Sequence, residues 1–386
     1  MLRAFTLLAA LSISFPLQAI EPESTQRLSD TLKPFVTDKT VAGLIAVVAD
    51  EDSILDQTVL GYADVAAGEQ MRPDAIFWIA SMTKPVTAAC VMMLVDEGKL
   101  SLDDPIVKHL PVMAGLKTAD GKSVTITLRQ LLTHTSGMSE LPPGEAYVAP
   151  TLQAVAERYA QLPLQFEPGS KWQYSQTSIN TAARIVEVVS GMSFDTFVQQ
   201  RVCDPLAMQD TTFYLSDEQL PRLATSYAAA SGQLVKDSIR ILGGKSPSSR
   251  DRFPAANGGL FSTADDYTRF CQMLLNDGEL DGQRLLSENA VETMRTIATG
   301  ELKPGFTPGN GWGIGVCVVR EPQGVTEPLS VGSFGHGGAY GTQAWIDPQQ
   351  NRIYILMTQR SDFPNSDASA VRAAFMKAGA GITAGQ

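Results

Sequence analysis

Ser81 and Lys84 stand three residues apart in SMTKPVTAACVMMLVDEG, the stretch from Ser81 to Gly98. On a helix, positions i and i+3 share a face, so the hydroxyl and the amine can touch. A serine is a weak nucleophile until a base takes its proton, and a lysine whose charged form is disfavoured is such a base. Two local features disfavour the ammonium here. The residues that follow (Pro85, Val86, Ala88 to Val95) are apolar on every side, as in a buried helix, and lysine is seldom buried unless paired. The positive end of that helix works in the same direction. It also leaves backbone N–H groups without acceptors, where an oxyanion can rest. The pattern S-x-x-K occurs once in the chain, about as often as composition alone supplies it. A capping serine beside a lysine that snorkels to water is the competing explanation. Position favours chemistry: the pair stands directly before a buried helix and after two strands.

Those strands are VAGLIAVVAD (41–50) and ILDQTVLGYADV (54–65), rich in Val, Ile and Leu, with an acidic turn between them. Ser24 to Phe35 precedes them as a helix, and the apolar helix stops at Gly98. Helices and long loops are expected from there to about residue 300, with Pro and Gly clusters at LPPGE (141–145) and FEPGS (166–170). TSINTAARIVEVVSG (177–191) and STADDYTRFCQMLLNDG (262–278) are amphipathic helices, the second capped by Ser262 with Asp265 three residues on. GWGIGVCVV (311–319), GGAYGTQAWIDP (337–348) and RIYILMTQR (352–360) read as strands, the last two joined by the turn DPQQN. DASAVRAAFMKAG (367–379) closes as a helix.

Strands at both ends with a helical block between them predict an α/β (α+β) fold. Its antiparallel sheet is built from both chain ends and flanked by helices, with a mainly helical domain inserted. The expected division is 1–19 as a signal peptide, 20–105 with 305–386 as the α/β domain, and 106–304 as the insertion. The active site then lies in the cleft between them.

The chain has 386 residues, 44% hydrophobic and 18% charged, with a net charge of −11. Acidic character argues against nucleic acid as a partner, and no basic run invites anionic lipid. MLRAFTLLAALSISFPLQA has the form of a secretory signal: Arg3, an apolar core too short to span a bilayer, and Leu17-Gln18-Ala19 as a cleavage site. A periplasmic or secreted location is expected, with no transmembrane segment. Cys90, Cys203, Cys271 and Cys317 lie far apart in apolar runs and read as buried free thiols. His109, His134 and His336 are scattered and form no ligand cluster, so neither metal nor organic cofactor is expected.

GYADVAAGEQMRPDAIFWIASMTK, DEGKLSLDDPIVKHLP, LRQLLTHTSGM, PGSKWQYSQTS, NGGLFSTADDYTRF and FGHGGAYGTQAWIDP, in that order, resemble the penicillin-recognising serine hydrolases. The class C β-lactamase branch is the most similar, and within it the family VIII carboxylesterases. The resemblance covers nearly all of the mature chain. It implies that Ser81 forms an acyl-enzyme, that Lys84 is its proton partner, and that Tyr174 is a second general base or acid. Tyrosine ordinarily titrates near 10, so a phenolate there needs a neighbouring cation. HGGA (336–339) stands where the family carries a Lys-Thr/Ser-Gly strand. The resemblance implies that the Ala339 N–H joins that of Ser81 in an oxyanion hole. It also implies that Gly337 and Gly338 let substrate approach the backbone as an added edge strand.

Two departures matter. His336 replaces the strand lysine that helps hold a substrate carboxylate, and a histidine with an ordinary pKa is mostly neutral at pH 7. Gln176 stands where class C enzymes usually have asparagine; its amide can bind an acyl carbonyl, with a different reach. Both move the expectation from lactams towards uncharged short-chain esters. A β-lactamase, a D-amino-acid peptidase or amide hydrolase, an acyltransferase and a non-catalytic penicillin-binding-like sensor are the alternatives. His134, in LLTHTSGM, is expected to be structural rather than part of a Ser-His-Asp triad. GMSFD (191–195) lacks the last glycine of G-x-S-x-G. NGGLFS (257–262) is expected to be scaffold.

Overall fold

The fold was analysed in a computed structural model that describes residues 22–305, 308–363 and 368–382, with the side chains of 22–26 undescribed. The expected signal peptide lies outside the described residues. An eight-stranded antiparallel sheet forms the frame. Its strands run, in spatial order, Asn310–Trp312, Cys317–Val319, Phe334–Gly337, Gln343–Asp347, Arg352–Thr358, Gly43–Ala49, Ile54–Asp64 and Glu69–Gln70. The two chain ends meet in the middle, where Leu44 pairs Thr358 and Val47 pairs Ile355.

GLIAVVA is buried at every position because both faces of this central strand are covered. Alternation decides which side chain goes where. Leu44, Ala46 and Val48, with Tyr354 and Leu356 of the neighbouring strand, pack with the opening helix (Pro22–Thr37) and the closing helix (Ala370–Gly379). Ile45, Val47 and Ala49, with Ile353, Ile355 and Met357, point into the larger core shared with the helical block.

The apolar helix spans Thr83–Asp96 and is buried from Thr83 to Leu94. It packs against helices Gln176–Ser190, Phe194–Val198 and Glu288–Arg295, which explains its lack of a polar face. Gly98 follows at φ +67, as expected of a helix stop. All four cysteines are buried, and no disulfide forms among the described residues.

Three local expectations are corrected. Residues 311–319 form a hairpin rather than one strand: Asn310 pairs Val319 and Trp312 pairs Cys317, with Gly315 turning at φ +71. Helix Ala264–Leu275 is capped by Thr263, whose side chain accepts from the Asp266 N–H. Ser262 belongs instead to a short strand and bonds Thr211 Oγ1 at 2.7 Å. The third concerns Phe334–Gly337, which lies inside the sheet, pairing Gln343–Asp347 on one side and Cys317–Val319 on the other. The latter pairing ends at Gly335, so His336 and Gly337 lie beyond it.

In the first turn of the Ala264–Leu275 helix, burial pushes the Asp266 carboxyl up to about 6, against bonds from the Thr211 hydroxyl and the Asp210 N–H that favour its charged form. A folded-state value above the unfolded one means that the stability it contributes is present at low pH and lost as pH rises through about 6. Asp266→Asn is therefore expected to gain on the wild type by about 2–3 kcal/mol between pH 4.5 and pH 8. Thermal melts of both proteins at the two pH values measure this; an unchanged gap counts against it.

Candidate active site

Ala80, immediately before Ser81, is held at φ +47, a costly conformation for a residue with a Cβ. It opens a 3-10 turn, Ala80–Met82, that leads into the buried helix. The neighbourhood enforces it. The Ile79 N–H bonds Leu260 O at 3.1 Å and the Trp78 indole donates to Gly258 O at 2.6 Å. Thr83 Oγ1 donates to Ala80 O at 2.7 Å and accepts from the Leu260 N–H at 3.2 Å. The segment 257–262 thus grips both sides of Ser81.

Ser81 is half-buried and Lys84 fully buried. The amine reaches Ser81 Oγ at 3.0 Å, Gln176 Oε1 at 3.0 Å and Asn257 O at 2.5 Å. Burial drives the Lys84 pKa well below its ordinary value; the distant Glu140 charge opposes the shift without overcoming it. Gln176 Oε1 also accepts from Asn257 Nδ2 at 3.0 Å, which fixes the orientation of its amide and leaves Nε2 for another partner. Glu140 anchors the start of the Gln176–Ser190 helix, accepting from the Gln176 N–H at 2.6 Å and from Thr177 Oγ1 at 3.0 Å.

Tyr174 comes to the same place from the loop before that helix. Lys84 Nζ lies 4.5 Å from the centre of its ring, against the face rather than in line with the hydroxyl. The phenol oxygen is 3.4 Å from His336 Nε2. His336 Nδ1 lies 2.6 Å from Gly337 O, which only accepts, so Nδ1 carries the proton. In the neutral ring Nε2 is then an acceptor facing the Tyr174 hydroxyl.

His134 sits behind Tyr174, with ring centres 4.6 Å apart, and touches Trp312 at 4.9 Å. Its Nδ1 accepts from the Ser175 N–H at 3.1 Å, and its buried Nε2 meets no hydrogen-bond partner among the described residues. Burial above all holds its pKa well below the ordinary value. It supports the Tyr174 ring and is bonded to neither Ser81 nor a carboxylate.

The strand Phe334–Gly337 packs beside the turn Ala80–Met82 and leads into Gly338 and Ala339. A Cβ at Gly338 would stand 2.0 Å from Thr342 Oγ1 and 2.6 Å from Ile79 O, so the loop closes onto the backbone that carries Ser81 only because residue 338 has no side chain. Among the described residues nothing accepts from the Ser81 or the Ala339 N–H. Gly338→Ala is expected to cost about 10–100-fold in turnover by pushing the two N–H groups apart. Turnover measured on folded variant checks this, and unchanged activity would refute the close approach.

The structure therefore brings together Ser81, Lys84, Tyr174, Gln176 and His336, and it sets Gly338, between Gly337 and Ala339 in the chain, against the Ile79 carbonyl that precedes the Ser81 turn. Asn257 was missed in the sequence, where NGGLFS reads as scaffold. It contributes its main-chain oxygen to Lys84, a contact any residue type could make, and its amide to Gln176. The N-G-G spacing was the one available signal of a close approach.

A hydroxyl bonded to a buried amine whose charged form burial disfavours, on such a scaffold, defines a serine hydrolase. The Beta-lactamase family model matches residues 28–377, and the chain belongs to that family. It is 35% identical over 364 residues to Protein Rv1367c of Mycobacterium tuberculosis, covering 86% of this chain and 88% of that one. It is 30% identical over 362 residues to Esterase EstB of Burkholderia gladioli, covering 86% and 89%. Among solved structures, EstCE1, a hydrolase with promiscuous acyltransferase activity, superposes with a TM-score of 0.79 at 23% identity, covering 93% of this chain and 100% of that one.

Proposed function

We propose that the protein hydrolyses short-chain, uncharged carboxylic esters through an acyl-enzyme on Ser81. The observation that carries the chemistry is the set of three contacts to the Lys84 amine. A neutral amine has two N–H bonds and one lone pair. Gln176 Oε1 and Asn257 O only accept, so they take the two N–H bonds and leave the lone pair aimed at Ser81 O–H. Lys84 then takes the proton as Ser81 Oγ attacks the carbonyl carbon. The Ser81 and Ala339 N–H groups hold the oxyanion, and Gln176 Nε2 steadies the acyl carbonyl. On collapse, Lys84 returns the proton to the leaving alcohol as its C–O bond breaks, with the Tyr174 phenol beside the site as the second acid; water, giving its proton to Lys84, then attacks the acyl-enzyme, and Ser81 recovers a proton as the acid leaves.

The ester preference rests on His336. Its bond to Gly337 O and its position beside the Tyr174 hydroxyl fit a neutral ring, which offers no fixed cation to a substrate carboxylate. The similarity to EstB and to EstCE1 supports the same choice. The site occupies the junction between residues 20–105 with 305–386 and the insertion 106–304, a division supported by the large sheet drawing its strands from outside 106–304. Export to the periplasm or beyond rests on residues 1–19; no helix among the described residues is long and apolar enough to cross a membrane.

A substrate panel tests the proposal: p-nitrophenyl butyrate, a chromogenic cephalosporin and a D-alanyl peptide, each with a Ser81→Ala control. Ester turnover that disappears in the control is the expected result. Faster hydrolysis of the cephalosporin or the peptide would overturn the ester preference. Labelling of Ser81 without turnover of any compound would identify a sensor.

A further inference from the structure

The closing helix carries an arginine, Arg372, that is 1% exposed. Its side chain points through the core to the loop that follows strand Phe334–Gly337. Nη2 donates to Gly338 O at 2.9 Å and to Thr342 O, and Nε donates to Gly341 O at 3.2 Å. A guanidinium is a rigid fork of donors, suited to holding several oxygens in fixed relation. These three carbonyls bracket Ala339. One of them, Gly338 O, belongs to the same peptide unit as the Ala339 N–H.

In a trans peptide the carbonyl and the N–H point in opposite directions, so gripping the oxygen from the core side aims the N–H away from the core. Donation to the carbonyl also draws charge through the amide and makes its N–H a stronger donor. The loop needs holding, because Ala339 is exposed and Gly341 turns at φ +98. The other proposed donor has the same arrangement. The Ser81 N–H belongs to the Ala80 peptide, whose carbonyl accepts from Thr83 Oγ1 at 2.7 Å.

We propose that Arg372 is a positioning residue of the oxyanion hole, which fixes and polarises the Gly338–Ala339 peptide from behind. The proposal rests on the role given above to the Ala339 N–H. Arg372 touches no reacting atom, so its loss weakens one oxyanion donor without removing it. The expected cost lies below the 10²–10³-fold of deleting a donor outright, at about 10–100-fold.

The test compares wild type, Arg372→Gln and Arg372→Lys, well below their melting temperatures. The lysine variant keeps the charge and the aliphatic stem, and so keeps the test alive where glutamine prevents folding. Three readouts are taken: Ser81 labelling by a fluorophosphonate, inhibition by a trifluoromethyl ketone, and p-nitrophenyl butyrate kinetics. In the folded variants labelling and kcat are expected to fall about 10–100-fold, with KM within about threefold and ketone affinity weakened by the same factor as kcat/KM. Millimolar guanidinium, but not ammonium, is expected to restore part of the labelling rate in the glutamine variant. A folded variant with labelling rate and ketone affinity within twofold of wild type would overturn the proposal. Wild type that labels at Ser81 but hydrolyses no ester would refute the esterase function alone, since labelling and ketone affinity still judge Arg372. Wild type that does not label at Ser81 refutes both.

Discussion

Replacing Ser81 by alanine is expected to lower ester turnover by about 10⁴-fold or more and to leave the melting temperature within about 2 °C of wild type. The two halves of the expectation have separate grounds. Ser81 Oγ is the hydroxyl that the Lys84 amine faces, so its removal deletes the atom to which the acyl group would be joined. Among the described residues its hydroxyl bonds no other group, and the strained turn at Ala80 is secured by Thr83, Gly258 and Leu260 instead. Initial rates with p-nitrophenyl butyrate, alongside a melt, test both. Residual turnover within a hundredfold of wild type would remove Ser81 from the mechanism.

Lys84→Met is expected to cost about 10³-fold in kcat/KM, within the range for losing a general base, while leaving Tm at pH 7 equal to or above that of wild type. Stability and activity separate here because a buried amine is an expensive group to keep. Its folded-state pKa is depressed, so the unfolded chain binds more protons between that value and the ordinary one near 10.5. Wild-type stability therefore rises with pH across that window and is lost as pH falls through the depressed folded value. The methionine variant lacks this slope. Ester turnover by wild type should rise with pH through the same depressed value, as the lone pair on Nζ is uncovered. Parallel melts and pH–rate profiles read both effects. A marked fall in Tm for Lys84→Met at pH 7 would show that the amine stabilises the fold.

The parts of this site that were legible in the sequence are those set by local spacing. Ser81 and Lys84 are one turn apart, and the apolar run behind them announces burial without any knowledge of the partners. The two early strands and the closing helix were equally plain, because alternation and amphipathicity are properties of a few consecutive residues. Tyr174, Gln176 and His336 carry no such mark; similarity to known sequences, and not spacing, pointed to them. Asn257 and Arg372 escaped for opposite reasons. Asn257 meets Lys84 through a main-chain oxygen, and backbone atoms leave no trace in composition. Arg372 looks like an ordinary surface charge in SAVRAAFMK, and only the packing of its helix against the sheet turns it inward. The single long strand expected over 311–319 failed because an apolar run hides the turn that Gly315 makes at φ +71, which folds the segment into a hairpin.

The meeting of the first and last strands at the centre of the sheet has a consequence for biogenesis. A ribosome delivers Ser81 and its helix early, but the Ala339 loop and Arg372 arrive only after the whole intervening helical block. At ordinary elongation rates the interval is roughly 10–50 s. Throughout it the strand Gly43–Ala49 has no Arg352–Thr358 to pair with. The proposed site is thus incomplete until the Ala339 loop and Arg372 have emerged, and a chain that stops before them lacks half of the proposed oxyanion hole.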